Sequence, residues 1–210
     1  MFTGLIEEIG IVKKIYIKGD SKIFEISTNS ISSLLNIGDS ISVNGACQTV
    51  VELDKNMFKV DCVAETLKKT NLEELKVGDK VNLETSLTLS KKIGGHLVLG
   101  HVDCVGTISN ITKLSNSWLI EIAYPKEFSK YVVNVGSIAV NGVSLTIAQS
   151  KEDSLIVSII PHTFENTNLK YLRRGSKVNL EFDIIGKYVE KILLANNNSK
   201  QIDWLKLLSS

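Results

Sequence analysis

The sequence predicts an all-β protein: two small antiparallel β-barrels in tandem, followed by a C-terminal α-helix. Three observations lead there. The stretch Val43-Asn44-Gly45-Ala46-Cys47-Gln48-Thr49 returns 97 residues later as Val140-Asn141-Gly142-Val143-Ser144-Leu145-Thr146. Apolar runs are short, rich in Ile and Val, and alternate with period two. Turn-forming Asn, Asp, Gly and Ser separate them, and only two prolines, Pro125 and Pro161, interrupt the pattern. So long a repeat marks two similar domains rather than a stack of short units. Many short strands in half of a 210-residue chain suggest a sheet closed on itself to hide its edges.

The elements follow in order. The start, Met1 to Glu8, has no basic residue, and Glu7-Glu8 interrupt its apolar run, so it does not read as a signal peptide. Strands are predicted at 10–12, 41–43, 58–60 and 81–83, and again at 138–140, 155–160 and 178–180. Thr66 to Leu72 returns as Thr163 to Leu169, and Gly78 to Glu84 as Gly175 to Glu181, at the same offset. Gly4 to Gly10 is echoed by Gly100 to Gly106 with the offset slipped to 96, so each half should begin with a Gly-led strand. Thr85 to Leu99 joins the halves and reads as a flexible turn around Gly94-Gly95. The domains are therefore set at 1–88, 97–185 and 186–210. In the last, Tyr188, Val189, Ile192 and Leu193 share one helical face, Asn196-Asn197-Asn198 should break the run, and Ile202, Trp204, Leu205 and Leu208 form a short amphipathic end. This tail belongs to neither repeat, and a neighbouring subunit is the expected surface to cover it.

Composition excludes several classes. Net charge is +1, with no basic stripe, which argues against nucleic acid and anionic membranes. Aromatics are 6%, too few to supply stacking platforms for single strands. No apolar stretch approaches a membrane span. Cys47, Cys62 and Cys104 are odd in number and lack paired spacing, which reads as reduced thiols in a cytoplasmic protein, without a disulfide framework or a Cys-based zinc site.

The residues suggest some chemistry. Asn44-Gly45 and Asn141-Gly142 are hairpin signals by themselves. Alternation then puts Cys47 with Thr49, and Ser144 with Thr146, on one face of a strand, where both pairs could meet a polar ligand. Cys62 and Cys104 sit between apolar neighbours and read as buried small hydrophobes. His96 and His101, five residues apart between glycines, lack helical zinc spacing and an obvious third ligand, so no metal is expected. Either could transfer protons near neutrality. Dinucleotide, phosphate-loop and nucleophile-elbow motifs are missing from the sequence.

Met1-Phe2-Thr3-Gly4, the two Asn-Gly-x-[Cys/Ser]-x-Thr stretches, Gly94-Gly95-His96-Leu97-Val98-Leu99-Gly100-His101-Val102-Asp103, Pro161-His162-Thr163 and Asn179-Leu180-Glu181 occur in order. With them, the chain resembles the riboflavin synthase family from Met1 to the final helix. The resemblance implies two six-stranded Greek-key β-barrels and a C-terminal helix joining a homotrimer, with active sites where one subunit's first barrel meets the next subunit's second. It implies dismutation of two 6,7-dimethyl-8-ribityllumazine molecules into riboflavin and a diaminopyrimidine, with no cofactor. Association with lumazine synthase stays open.

By that resemblance one lumazine should lie along Gly4-Leu5-Ile6, Cys47-Gln48-Thr49 and Asp61-Cys62-Val63-Ala64-Glu65-Thr66. The other should lie along Gly100-His101-Val102, Ser144-Leu145-Thr146 and Ser158-Ile159-Ile160-Pro161-His162-Thr163. Phe2, Ser40, Cys47, His101 and Asp183 match positions the family associates with turnover, with His101 the first candidate for proton transfer and His96 the second. One departure stands out: some members carry a ligand-binding Lys where this chain has Val135, with Asn134 and Lys130 the nearby substitutes. The alternative reading is a non-catalytic lumazine- or flavin-binding antenna-type protein. Such proteins degrade one of their two sites, whereas here both halves keep the motif.

Overall fold

The structure, a computed structural model, describes residues 1–198, with side chains through Ala195. Six strands form the first barrel: β1 (Glu8–Lys18), β2 (Ser21–Ser27), β3 (Ser40–Val43), β4 (Ala46–Asp54), β5 (Met57–Cys62) and β6 (Lys80–Thr85). They close in the order β1-β2-β5-β4-β3-β6, all neighbours antiparallel. Between β5 and β6 lies helix α1 (Ala64–Lys69). The second barrel comprises β7 (Cys104–Lys113), β8 (Trp118–Ala123), β9 (Ser137–Val140), β10 (Val143–Ser150), β11 (Ser154–Ile159) and β12 (Lys177–Phe182), with helix α2 (Pro161–Glu165) before β12. It closes in the equivalent order, β7-β8-β11-β10-β9-β12. In both, a three-strand meander carries the preceding strand against its far edge, which is Greek-key connectivity.

Alternation sets the cores. Val12, Phe24, Ile26, Phe58 and Leu83 are buried in the first barrel, and Ile108, Ile120, Ile122, Leu155 and Phe182 in the second. Closure needs strands that bend, and bulges supply the bend at matching places. Register slips between Val12 and Lys14 and between Val50 and Glu52, and again between Ile108 and Asn110 and between Ile147 and Gln149.

The Asn-Gly signals are hairpin turns. Asn44 and Gly45 take φ of 49° and 79°, and Asn141 and Gly142 take 46° and 79°, which is the pairing a two-residue hairpin needs. Their tips touch: a Cβ on Gly45 would lie 2.7 Å from the Gly142 nitrogen. Six buried asparagines tie the barrels together around these tips. The Asn71 amide donates to Asn179 Oδ1 and the Asn168 amide to Asn82 Oδ1, each at 2.6 Å. Asn82 Nδ2 donates to the Asn141 carbonyl (3.0 Å), and Asn179 Nδ2 to the Asn44 carbonyl (2.8 Å). Each bond has a counterpart in the other half, so the halves are related by a pseudo-two-fold axis.

The structure moves several predicted boundaries. The Gly-led segments are not strand at their start: Gly4 and Gly100 have φ of 76° and 80°, and β1 and β7 begin four residues later. Ile160 caps α2 instead of ending β11. Helix α3 (Ile184–Asn198) runs through the three asparagines expected to break it, since asparagine costs a helix only a modest propensity. The amphipathic end at 202–208 lies outside the described residues. Along α3, Ile185, Tyr188, Val189, Ile192 and Leu193 are exposed. Lys187 pairs with Asp103 at 2.6 Å, and Glu190 meets Tyr131 and Lys130. Among the described residues no helix is long and apolar enough to cross a membrane.

Candidate functional site

The candidate site grows from one strand row in each barrel. Ser42 lies opposite Cys47 and Ser40 opposite Thr49 across β3 and β4. These four share the face away from the core, while Ala46, Gln48 and Val50 point inward. Glu84 of β6 continues the row beside Ser42. In the second barrel Ser144 pairs with Ala139, and Ala139 with Glu181.

The two leading segments cover these rows, and they cross over. The Thr3 amide and hydroxyl each donate to Glu84 Oε1 at 2.7 Å, and the Gly4 amide donates to Oε2 at 3.0 Å. The Gly4 carbonyl then accepts the Ser144 amide of the other barrel at 2.8 Å. The counterpart segment begins at Glu181, which accepts the amides of Leu99, Gly100 and His101 at 2.6–2.9 Å. The Gly100 carbonyl accepts the Cys47 amide of the first barrel at 2.9 Å. Between them Phe2 and Val98 exchange backbone hydrogen bonds. Side chains follow: Ile6 packs on the second core and Val102 on the first. Glycine is required here, because a Cβ on Gly4 would lie 2.5 Å from Ser144 Cβ, and one on Gly100 2.6 Å from Cys47 Cβ.

This corrects the expected grouping. Gly4-Leu5-Ile6 does not join Cys47-Gln48-Thr49 but Ser144-Leu145-Thr146, and Gly100-His101-Val102 joins Cys47 rather than Ser144. Sequence offset pairs like with like, whereas packing about a two-fold axis exchanges the partners. A cavity of about 410 Å³ follows the exchange: it is lined by Ile6 from one half and by His162, Glu165 and Asn166 from the other.

The remaining candidates fall as follows. Asp61 is half-buried, Cys62 is inside the core, Val63 and Glu65 are exposed, and Ala64 and Thr66 start α1. In the second barrel Ile159 points into the core, while Ser158, Ile160, Pro161 and His162 are on the surface beside Thr163. Leu145 is inward and Thr146 outward. Burial pushes the thiols of Cys62 and Cys104 up to about 12, so neither is a nucleophile. Cys47 is half-buried beside Phe2, Val98 and Ala139. His101 is exposed, whereas His96 is partly buried, with Nδ1 2.7 Å from Ser144 Oγ. Burial holds its pKa below the ordinary value, and the charge of Asp183 opposes this only in part. At neutral pH the imidazole is therefore uncharged. Val135 sits exposed with φ of 64°, and its nearby polar residues are engaged: Asn134 accepts from Ser150, and Lys130 pairs with Glu190.

Sequence reasoning missed Glu84 and Glu181. Burial pushes both carboxyls above the ordinary range, and the donors around them oppose the push. The repeated Val-Asn-Leu-Glu was the available signal, because a charged residue repeated within a strand otherwise destined for burial needs buried partners. Among the described residues no group of three or more His, Cys, Asp or Glu is arranged to hold a metal ion.

Known proteins match this arrangement. The lumazine binding domain matches twice, over residues 3–86 and 99–183. The riboflavin synthase of Actinobacillus pleuropneumoniae is 41% identical over 211 residues, covering 98% of each chain. That of Bacillus subtilis is 42% identical over 200 residues, covering 95% of this chain and 93% of the relative. Among solved structures, LumP complexed with riboflavin superposes with a TM-score of 0.82 at 30% identity, covering 87% of this chain and 99% of that one.

Proposed function

The chain belongs to the riboflavin synthase family and is a transferase, and we propose that it dismutates two molecules of 6,7-dimethyl-8-ribityllumazine into riboflavin and a diaminopyrimidine. The observation that carries this reading is the pair of equivalent outward rows, Cys47 with Thr49 and Ser144 with Thr146, each crossed by a glycine segment from the other half. Two like cradles suit a reaction whose two reactants are the same molecule. One lumazine gives a four-carbon unit to the other, so no atom is gained or lost and no outside oxidant is required.

The lumazine C7 methyl is acidic and can lose a proton to give a carbanion, and the partner is attacked at its own C7. Holding the two in opposed orientation converts an encounter into a positioned reaction. Each lumazine then has backbone groups of a leading segment at its ring and the residues near α1 or α2 toward its ribityl chain. Gly4, Ile6, Ser144 and His162 serve one molecule, and Gly100, Val102, Cys47 and Thr66 the other. Uncharged His96, bonded to the Ser144 hydroxyl, can accept a proton beside the first. His101, exposed on the other segment, is placed to exchange protons with a molecule approaching from outside. Proton transfer of this kind contributes about 10²–10⁴-fold.

The same reading takes α3 as the trimer contact. Its exposed apolar face would be covered by neighbouring copies, with one subunit's Cys47 cradle brought to the next subunit's Ser144 cradle. The reading also takes the protein as cytoplasmic, with association with lumazine synthase a further step. LumP binds lumazine and riboflavin in its solved complexes, which supports ligand binding by this fold; the more similar full-length relatives favour the enzyme.

The test is direct. Purified protein is mixed with 6,7-dimethyl-8-ribityllumazine and nothing else, and riboflavin absorbance is followed. Catalytic appearance of riboflavin is expected. Tight binding without product would replace this reading with the antenna-type one.

A further inference from the structure

A cleft of about 590 Å³ opens where the barrels meet on the pseudo-two-fold axis. Its size is that of small-molecule sites, which run to about 300–1,000 Å³. No residue assigned above to a lumazine cradle lines it. Four cations do: Lys76 and Lys80 from the first half, and their repeat equivalents Arg173 and Lys177 from the second. None of them forms an ion pair among the described residues. Two acids also face the cleft, Glu74 and Asp79, but their equivalents are Tyr171 and Ser176, so the duplication keeps the positive charges and halves the negative ones. Asp79 is occupied within its own turn, accepting the Lys76 amide at 2.8 Å.

The walls add a second requirement. Leu75, Leu172 and Tyr171 give the walls an apolar part. An inorganic anion would satisfy the cations but bring no apolar surface.

We propose that this cleft binds a phosphate ester of a sugar or nucleoside, with the phosphate among Lys76, Lys80, Arg173 and Lys177 and the organic part against Leu75, Tyr171 and Leu172. Lysine and arginine supply the charge-assisted bonds to phosphate oxygens.

The test is calorimetric titration of the full chain at low ionic strength with ribose 5-phosphate, adenosine monophosphate and inorganic phosphate. At least one ester should bind about 10-fold or more tightly than inorganic phosphate, reflecting the added apolar contacts. Tighter adenosine monophosphate identifies a nucleotide, and equal binding of the two esters a sugar phosphate. The double variant Lys76→Glu with Arg173→Glu should lose about 10-fold or more of that affinity through charge repulsion, while turnover of lumazine is unchanged. Should that variant fail to fold by circular dichroism, Lys76→Ser with Arg173→Ser serves in its place. No heat from either ester, equal binding of ester and inorganic phosphate, or equal affinity in parent and variant would each overturn the proposal. Turnover is read separately, so these outcomes do not touch the proposed reaction.

Discussion

Replacing Glu84 with Gln should release the N-terminal segment without unfolding the barrel. The Glu84 carboxylate is fully buried and accepts three bonds, two from Thr3 and one from Gly4. Glutamine keeps the volume and one acceptor oxygen. Its amide nitrogen then faces either the Gly4 amide or the two Thr3 donors, donor against donor. A hydrogen bond to a charged acceptor contributes about 1.5–3 kcal/mol, and a buried donor left unpaired costs about 1–3 kcal/mol. Taking about 2–4 kcal/mol for the combined loss, the bound segment should open roughly 30- to 1,000-fold more often. Amide hydrogen exchange reads this directly. Exchange at Thr3 and Gly4 should accelerate by that factor, while the amide of Asn82, two residues away on the same strand, keeps its rate. Because Gly4 also accepts the Ser144 amide, turnover should fall with the opening even though Glu84 touches no reacting atom. Unchanged exchange at Thr3 and Gly4, or acceleration shared equally by Asn82, would refute the claim that this carboxylate is the local anchor.

Cys47→Ser should lower kcat by about 10-fold or more with a smaller change in KM, as loss of a group acting at the reacting centre would; equal turnover removes Cys47 from the chemistry. A thiol reagent should modify Cys47 alone in the folded protein, since burial places Cys62 and Cys104 near pKa 12; fast labelling at either of those contradicts the packing. His96 is held neutral by burial, so the unfolded chain binds its proton more readily. The stability this contributes is complete above the unfolded value of about 6.5 and is lost as pH falls below it through the lowered folded value, and the urea midpoint of His96→Gln should fall less than the parent's between pH 8 and pH 5. Deleting residues after Ile185 should give monomers that bind lumazine and turn over poorly; a fully active monomer in sedimentation and rate assays would contradict an inter-subunit site.

Much of the fold was legible because it rests on local signals. Alternating runs such as Val81-Asn82-Leu83 become strands, and Asn-Gly becomes a two-residue hairpin, because these depend on near neighbours. The Gly4 and Gly100 segments were misread as strand because they have strand-like composition, yet their conformation is set by Glu84 and Glu181 some 80 residues away. Asn196–Asn198 misled in the other direction, since a weak helix former yields to the helix already running.

The sequence by itself determined the duplication, the two closed barrels, the shared strand face of Cys47 with Thr49 and of Ser144 with Thr146, and the family. Tertiary structure alone decided which of these residues meet. It set Gly4 on Ser144 and Gly100 on Cys47, gave the Val-Asn-Leu-Glu repeat its two tasks, and laid His96 beside Ser144. The physical reason is that two like domains packed about a two-fold axis bury their polar groups against each other, and the repeat shows which residues correspond but not which ones meet.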